Sequence, residues 1–397
     1  MDPRTNPYAP GAGTPPPALV GRDEQIETFD ILLERLENGY AEKSMIITGL
    51  RGVGKTVLLD VFREKAEARS WATVEWEVEK KTSLESKIAM QTRRALLQIA
   101  PKAKWSDRAK RAAAILKSFT ITFNPDGAVT AGLNVDALAG VGDSGALSED
   151  LSDLFVALGE AASERGTGVI FLLDEIQYLE SSELEALITA LHKCARRSLP
   201  ITLVGAGLPQ IPRLAGEARS YSERLFEFPV IGHLALETHA RDALALPAQG
   251  LGVSFEDAAV DHVVEYTQGY PYFLQEYGKV LWDEASASPI TAHDAAQALP
   301  LVEARLDSSF FRVRVDRVTG LEFRYLCAMA ELGPEPQRAG DVAKHIDRTS
   351  EQAGPIRARL IEKGLLYTPE HGYAAFTVPQ FDRYLLRSQA DLLTTEN

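Results

Sequence analysis

Two cysteines, Cys194 and Cys327, are all that 397 residues contain, and they stand far apart with no CxxC spacing. This excludes a disulfide framework and a zinc site, fits a reducing compartment, and leaves core packing as their role. The seven histidines are equally scattered, so no metal-ligand spacing arises from them. No run reaches the roughly 18 apolar residues needed to cross a bilayer, and the first twenty residues are Pro-rich where a signal peptide would be apolar. A cytoplasmic protein without membrane association is expected. Positive charge is also short. The formal charge of −14 disfavours polyanion binding by bulk attraction, because nucleic-acid affinity comes largely from Lys and Arg. The deficit is uneven: residues 308–397 carry 12 Lys and Arg against 12 Asp and Glu, so the acidic excess belongs to the rest of the chain.

The length suggests two or three domains at roughly 100 to 200 residues each. Residues 1–18 are Pro, Gly and Ala with almost no large apolar group and are expected to form a disordered arm. From Arg22, Ile26, Phe29, Leu32, Leu33 and Leu36 recur at helical spacing and lead into the strand SMIITG. Strand, glycine-rich loop and helix follow, then the alternating strand WATVEWEVEK and a helix at about 83–99. This βαβα rhythm marks a parallel sheet. A basic helix and an alternating stretch about Asp126-Gly127 interrupt it and read as a hairpin insertion at about 118–136. GVIFLLDE, a helix with capping-box spacing at Ser182 and Glu185, ITLVGAG and a short strand at 226–230 complete a core over 19–233. Helices alone occupy 234–305, a helical lid. Residues 306–397 show three helices and two short strand-like runs, the order of a winged helix-turn-helix.

Gly49-Leu50-Arg51-Gly52-Val53-Gly54-Lys55-Thr56 satisfies GxxxxGK[ST] between a strand and a helix. Backbone N–H groups of such a loop, with Gly49, Gly52, Val53 and Gly54, wrap phosphates. Lys55 reaches the β and γ phosphates and Thr56 offers its hydroxyl to Mg²⁺. Val169–Leu173, apolar throughout, ends in Asp174-Glu175. At the carboxyl edge of a parallel sheet, Asp174 would orient Mg²⁺ and Glu175 would polarise the attacking water. ATP and Mg²⁺ are the expected ligands.

GLRGVGKT and FLLDE resemble the Walker A and Walker B motifs of AAA+ ATPases. Val20-Gly21-Arg22-Asp23-Glu24 resembles the box that lines the adenine pocket in origin-recognition and STAND-type ATPases. The resemblance extends from about residue 18 to the C-terminus and implies an α/β fold: a P-loop parallel-sheet core, an all-helical lid and a C-terminal winged helix-turn-helix, as in archaeal-type origin-recognition initiators. It further implies an arginine acting in a neighbouring subunit's site through self-association. Arg224 holds that place, with Arg219 as second choice. Two departures stand out. A polar sensor is expected after the fourth strand, but the chain reads Gly205-Ala206-Gly207, with Gln210 the nearest amide. In the lid, Gly269-Tyr270-Pro271-Tyr272-Phe273 replaces an arginine-bearing helix and resembles the GxP motif of STAND ATPases, which places Pro271 at the nucleotide. Turnover is then expected to be slow, with nucleotide acting as a switch.

In the recognition-helix position, Arg357, Arg359 and Lys363, with Arg348 at its entrance, are candidates for double-stranded DNA contact, against the alternative that this domain packs on the core. Arg312, Arg314 and Arg317 are expected either to meet nucleic acid or, preferably, to pair with the acidic core. Three functions compete: an ATP-dependent DNA-binding regulator or initiator, a STAND-like signalling ATPase whose winged helix contacts protein partners, and an ATPase subunit that targets a transposition or defence effector.

Overall fold

The computed structural model describes residues 1–11, 13–80, 83–101, 105–123, 133 and 135–393. Asp23–Glu37 (α1) leads into Ser44–Thr48 (β1), followed by Lys55–Ala68 (α2), Ala72–Glu77 (β2), Leu84–Ile99 (α3), Asp107–Phe123 (α4), Leu147–Glu164 (α5) and Val169–Asp174 (β3). Ser181–Ala195 (α6), Ile201–Gly207 (β4), Ile211–Ala218 (α7), Ser222–Leu225 (α8) and Phe226–Glu227 (β5) complete the sheet domain. The five strands are parallel in the order β2-β3-β4-β1-β5. β1 and β4 are buried at every residue and β3 at every residue before Asp174, as expected of strands covered on both faces. Phe29 stacks on Phe62 at 4.2 Å on one side of the sheet, and Phe155 on Phe171 at 4.6 Å on the other. All strands therefore point their carboxyl ends to one edge, where β1 and β3 deliver the glycine-rich loop and Asp174-Glu175.

Four helices follow, His239–Gln249 (α9), Asp257–Thr267 (α10), Pro271–Glu284 (α11) and Ala292–Arg305 (α12). A π-helical segment, Leu306–Phe311, and the single turn Arg312–Val315 (α13) join them to the C-terminal unit. That unit runs Gly320–Leu332 (α14), Gln337–Arg338 (β6), Ala339–His345 (α15), Ser350–Glu362 (α16), Leu366–Tyr367 (β7), Tyr373–Phe376 (β8) and Phe381–Leu393 (α17). Its strands form an antiparallel sheet in the order β6-β8-β7. The three helices and two strand-like runs expected here are present, with β6 and α17 in addition. Thr319 with Glu322 and Thr349 with Gln352 form capping boxes that fix the starts of α14 and α16. Among the described residues no helix is long and apolar enough to cross a membrane.

Three expectations change. The arm is ordered where it is described: Tyr8 is 2 % exposed and its hydroxyl donates to the Leu244 carbonyl. Asn6 Nδ2 donates to the Lys279 carbonyl at 3.0 Å and to Asp283 at 2.8 Å. The arm has too few apolar groups for a core of its own, but its one tyrosine borrows that of α9 and α11. Gly278 makes room for it, since a Cβ there would lie 2.5 Å from the ring. The first limb of the expected hairpin, from Phe119 to Phe123, instead continues α4, because Phe119 packs at helical spacing inside the core. The rest of that insertion, with its turn, lies almost wholly outside the described residues. The strand expected at 226–230 is regular only at Phe226–Glu227; beyond it a bridge joins Thr48 to Val230, and Pro229 contributes an acceptor but no donor.

Candidate nucleotide-binding site

The loop between β1 and α2 turns through left-handed backbone at Gly52 (φ +82°) and Gly54 (φ +93°), conformations that favour glycine. Lys55 folds back over it: Nζ donates to the Gly49 carbonyl at 3.0 Å and the Leu50 carbonyl at 2.8 Å. Burial pushes its ammonium down to about 8, against the opposing pull of Glu175 and Asp174. Thr56 Oγ1 donates to Asp174 Oδ2 at 2.6 Å, while Asp174 Oδ1 accepts the Glu175 N–H at 2.7 Å. A hydroxyl and a carboxylate meeting across the loop form a hard-oxygen donor pair of the kind that suits Mg²⁺.

Glu175 occupies left-handed backbone, φ +53° and ψ +37°, uncommon for a non-glycine residue. Its carboxylate is fully engaged. Arg51 Nη1 and Nη2 donate to it at 3.1 and 3.4 Å, and Gln177 Nε2 donates as well. Arg51 also donates to the Tyr178 hydroxyl at 2.9 Å. Gln177 is held in turn by the Leu208 N–H, which donates to its Oε1 at 3.1 Å. Sequence reasoning missed Arg51, Gln177 and Tyr178. Its search for a polar group after β4 failed for a packing reason: a Cβ at Gly207 would lie 2.6 Å from Gln177 Oε1. The turn after β3 fills the space that a side chain from β4 would need.

A cavity of about 410 Å³ opens over this loop. Its wall contains Gly52, Val53, Gly54, Lys55, Thr56, Asp174, Glu175, Val20, Arg22 and Pro271. Gly49 and Gly21 stand behind it, their carbonyls accepting from Lys55 and Arg22. Arg22 is 7 % exposed and braces the loop, Nη2 donating to the carbonyls of Val53 at 3.1 Å and Gly232 at 2.9 Å. The arm contributes Gly13 and Thr14 to the cavity wall. Arg224 does not reach the cavity; it is exposed on α8, and Arg219 pairs with Glu185 at 2.6 Å.

The C-terminal unit touches this site directly. The Arg51 N–H donates to the Thr377 carbonyl at 3.0 Å, and the Arg51 guanidinium lies close against Gly364. Of the four basic residues expected on nucleic acid, two are committed elsewhere. Arg359 Nε and Lys363 Nζ donate to the fully buried Glu322 at 2.9 and 2.6 Å. Burial alone would raise that carboxyl, but bonds from Lys363, the Thr319 N–H and Arg359 outweigh it and hold it down at about 2. Among the described residues Arg348 and Arg357 form no ion pair. Nor do the joint arginines all meet the acidic core: Arg312 pairs with Asp316 on its own turn at 3.9 Å, while Arg314 lines the cavity.

Residues 18–204 match the family described as AAA ATPase domain, and residues 308–385 match a domain of unknown function. A comparison with the curated proteins gives no match. Among solved structures, the Walker-type ATPase of Pyrococcus abyssi is similar at a TM-score of 0.58 and 14% identity, covering 93% of this chain and 96% of that one. The Orc1 protein of Aeropyrum pernix, solved in complex with DNA, has a TM-score of 0.44 and 15% identity, covering 96% of each chain. Cdc6p of Pyrobaculum aerophilum has the same TM-score and identity and covers 99% of each. At these identities the likenesses concern the fold alone. Over residues 18–204 the chain is thus similar to AAA ATPase domains and shares their parallel-sheet fold, a fold that implies nucleotide binding.

Proposed function

We propose that the chain is an ATP-binding and ATP-hydrolysing switch. The observation that carries this is the convergence of Lys55, Thr56, Asp174 and Glu175 on one cavity at the carboxyl edge of the sheet. Lys55 exchanges the carbonyls of Gly49 and Leu50 for phosphate oxygens. Thr56 and Asp174 would hold Mg²⁺, which would supply charge neutralisation to the phosphates. Glu175 takes the proton of the attacking water. It does so only once Arg51 lets go, because Arg51 and Gln177 now occupy its carboxylate. Arg51 also touches the C-terminal unit, through its N–H on Thr377 and its guanidinium beside Gly364, so nucleotide state and the seating of that unit share one residue. Slow turnover and a switching role fit this coupling better than a fast motor does.

Duplex DNA is the partner assigned to the C-terminal unit, on its helix order and the unpaired Arg348 and Arg357. The capture of Arg359 and Lys363 by Glu322 favours the protein-partner alternative and sets how weak DNA binding should be. Arg224, exposed and outside its own cavity, is read as completing a neighbouring chain's site.

Phosphate release tests the reading. Glu175→Gln is expected to keep nucleotide affinity and lose turnover by at least about 100-fold; undiminished release removes Glu175 from the base role. Inactive Arg224→Ala and inactive Lys55→Ala chains regain partial activity on mixing if Arg224 acts between chains, and none if it does not.

A further inference from the structure

The nucleotide cavity holds more positive charge than its own carboxylates balance. Arg22, Arg51, Lys55 and Arg314 line it against Asp174 and Glu175. Three of these cations have assigned work: Arg22 braces the loop carbonyls, Arg51 pairs with Glu175, and Lys55 is the phosphate-reaching lysine of the loop. Arg314 has none. It is half-buried, among the described residues it forms no ion pair with a carboxylate, and the charged or titratable groups that act on it most are Arg51, Tyr270, Tyr272 and Arg317. Burial, and then the like charge of Arg51, lower its pKa. Even a half-buried cation without a counter-charge is costly unless something else supplies one.

Its surroundings hold the guanidinium in place. The head lies over the Phe310 ring at 4.0 Å, and Nη1 donates to the Phe310 carbonyl. Phe310 stacks on Tyr272 at 4.6 Å, and Tyr272 leans on the phosphate loop, its Cβ 3.3 Å from where a Cβ of Gly52 would be. An unbroken stack of side chains therefore runs from the loop through the lid to Arg314. The residue itself sits on the turn that follows the π-helical joint between lid and C-terminal unit, and such interruptions of regular helix are frequent at functional sites. The adjacent Phe311 stacks on Phe381 and Tyr384 of α17.

We propose that Arg314, reaching in from this joint, bonds the terminal phosphate of the nucleotide and makes the cavity distinguish a nucleoside triphosphate from a diphosphate. The proposal rests on the reading of the cavity as an ATP site. A terminal phosphate near Arg51 and Lys55 supplies the anion that Arg314 lacks. Because Phe310 and Phe311 flank the same joint, its pull on Arg314 bears on how the C-terminal unit is seated.

The test compares equilibrium binding of a non-hydrolysable ATP analogue and of ADP, with Mg²⁺, to the full chain and to Arg314→Ala and Arg314→Gln. Loss of one charge-assisted pair to phosphate weakens the analogue by about 10- to 100-fold while ADP changes less than about threefold. The retained ADP affinity also shows that each variant is folded. Equal weakening of both nucleotides would mean that Arg314 only packs the joint, and unchanged binding of the analogue would mean that it meets no phosphate; either overturns the proposal. If the unaltered chain binds neither nucleotide, the ATP reading itself fails, a result separable from the other two.

Discussion

At the scale of single residues, the sequence was most informative where chemistry fixes spacing. Lys55, Thr56, Asp174 and Glu175 were legible because eight consecutive residues and an apolar strand ending in two acids leave little choice of role. Arg51 and Gln177 were not, because Glu175 and Leu208, which they meet, lie 124 and 31 residues away and only folding brings them together. Lys55 carries a pH prediction. Burial sets its free-state value at about 8, and phosphate binding requires the ammonium. ATP affinity should therefore be flat below pH 8 and fall above it, by up to about tenfold per unit. Titration of nucleotide between pH 7 and 9.5 checks this; affinity unchanged to pH 9.5 would show that Lys55 stays charged without help from phosphate.

At the scale of elements, helix and strand order followed from periodicity, and errors came where an element's stability is borrowed from elsewhere. α6 starts at Ser181, and its box is closed by Glu183, which accepts from the Glu180 N–H at 2.8 Å, two residues before the expected pair. Phe119 to Phe123 alternate like a strand but continue α4, since tertiary burial overrides so short a pattern. The arm gave no periodicity at all, and its order depends on Tyr8 against Gly278. Removing that ring by Tyr8→Ala should cost about 3 kcal/mol, as for other large-to-small changes of buried aromatics. Urea unfolding followed by tryptophan fluorescence reads it through Trp282, whose Nε1 donates to the Asp2 carbonyl at 2.9 Å. No change in midpoint would mean that the arm does not pack in solution as it does here.

At the scale of the whole molecule, the composition pointed to a neutral C-terminal region, yet charge placement alone could not reveal that Glu322 takes up Arg359 and Lys363. If Arg348 and Arg357 are the cations left for duplex DNA, binding should be weak, with a log–log salt slope of about −2, where four contacts would give about −4. No binding at low salt, with either ATP or ADP, would favour a protein partner instead. The C-terminal unit is seated on the phosphate loop through Thr377 and Gly364, an arrangement that no motif announces. All of this hangs on nucleotide entering the cavity over Lys55. Equilibrium binding of a labelled ATP to the full chain and to Lys55→Ala measures that directly. The account predicts saturable, Mg²⁺-dependent binding that the substitution abolishes, and equal affinity in the two proteins would contradict it.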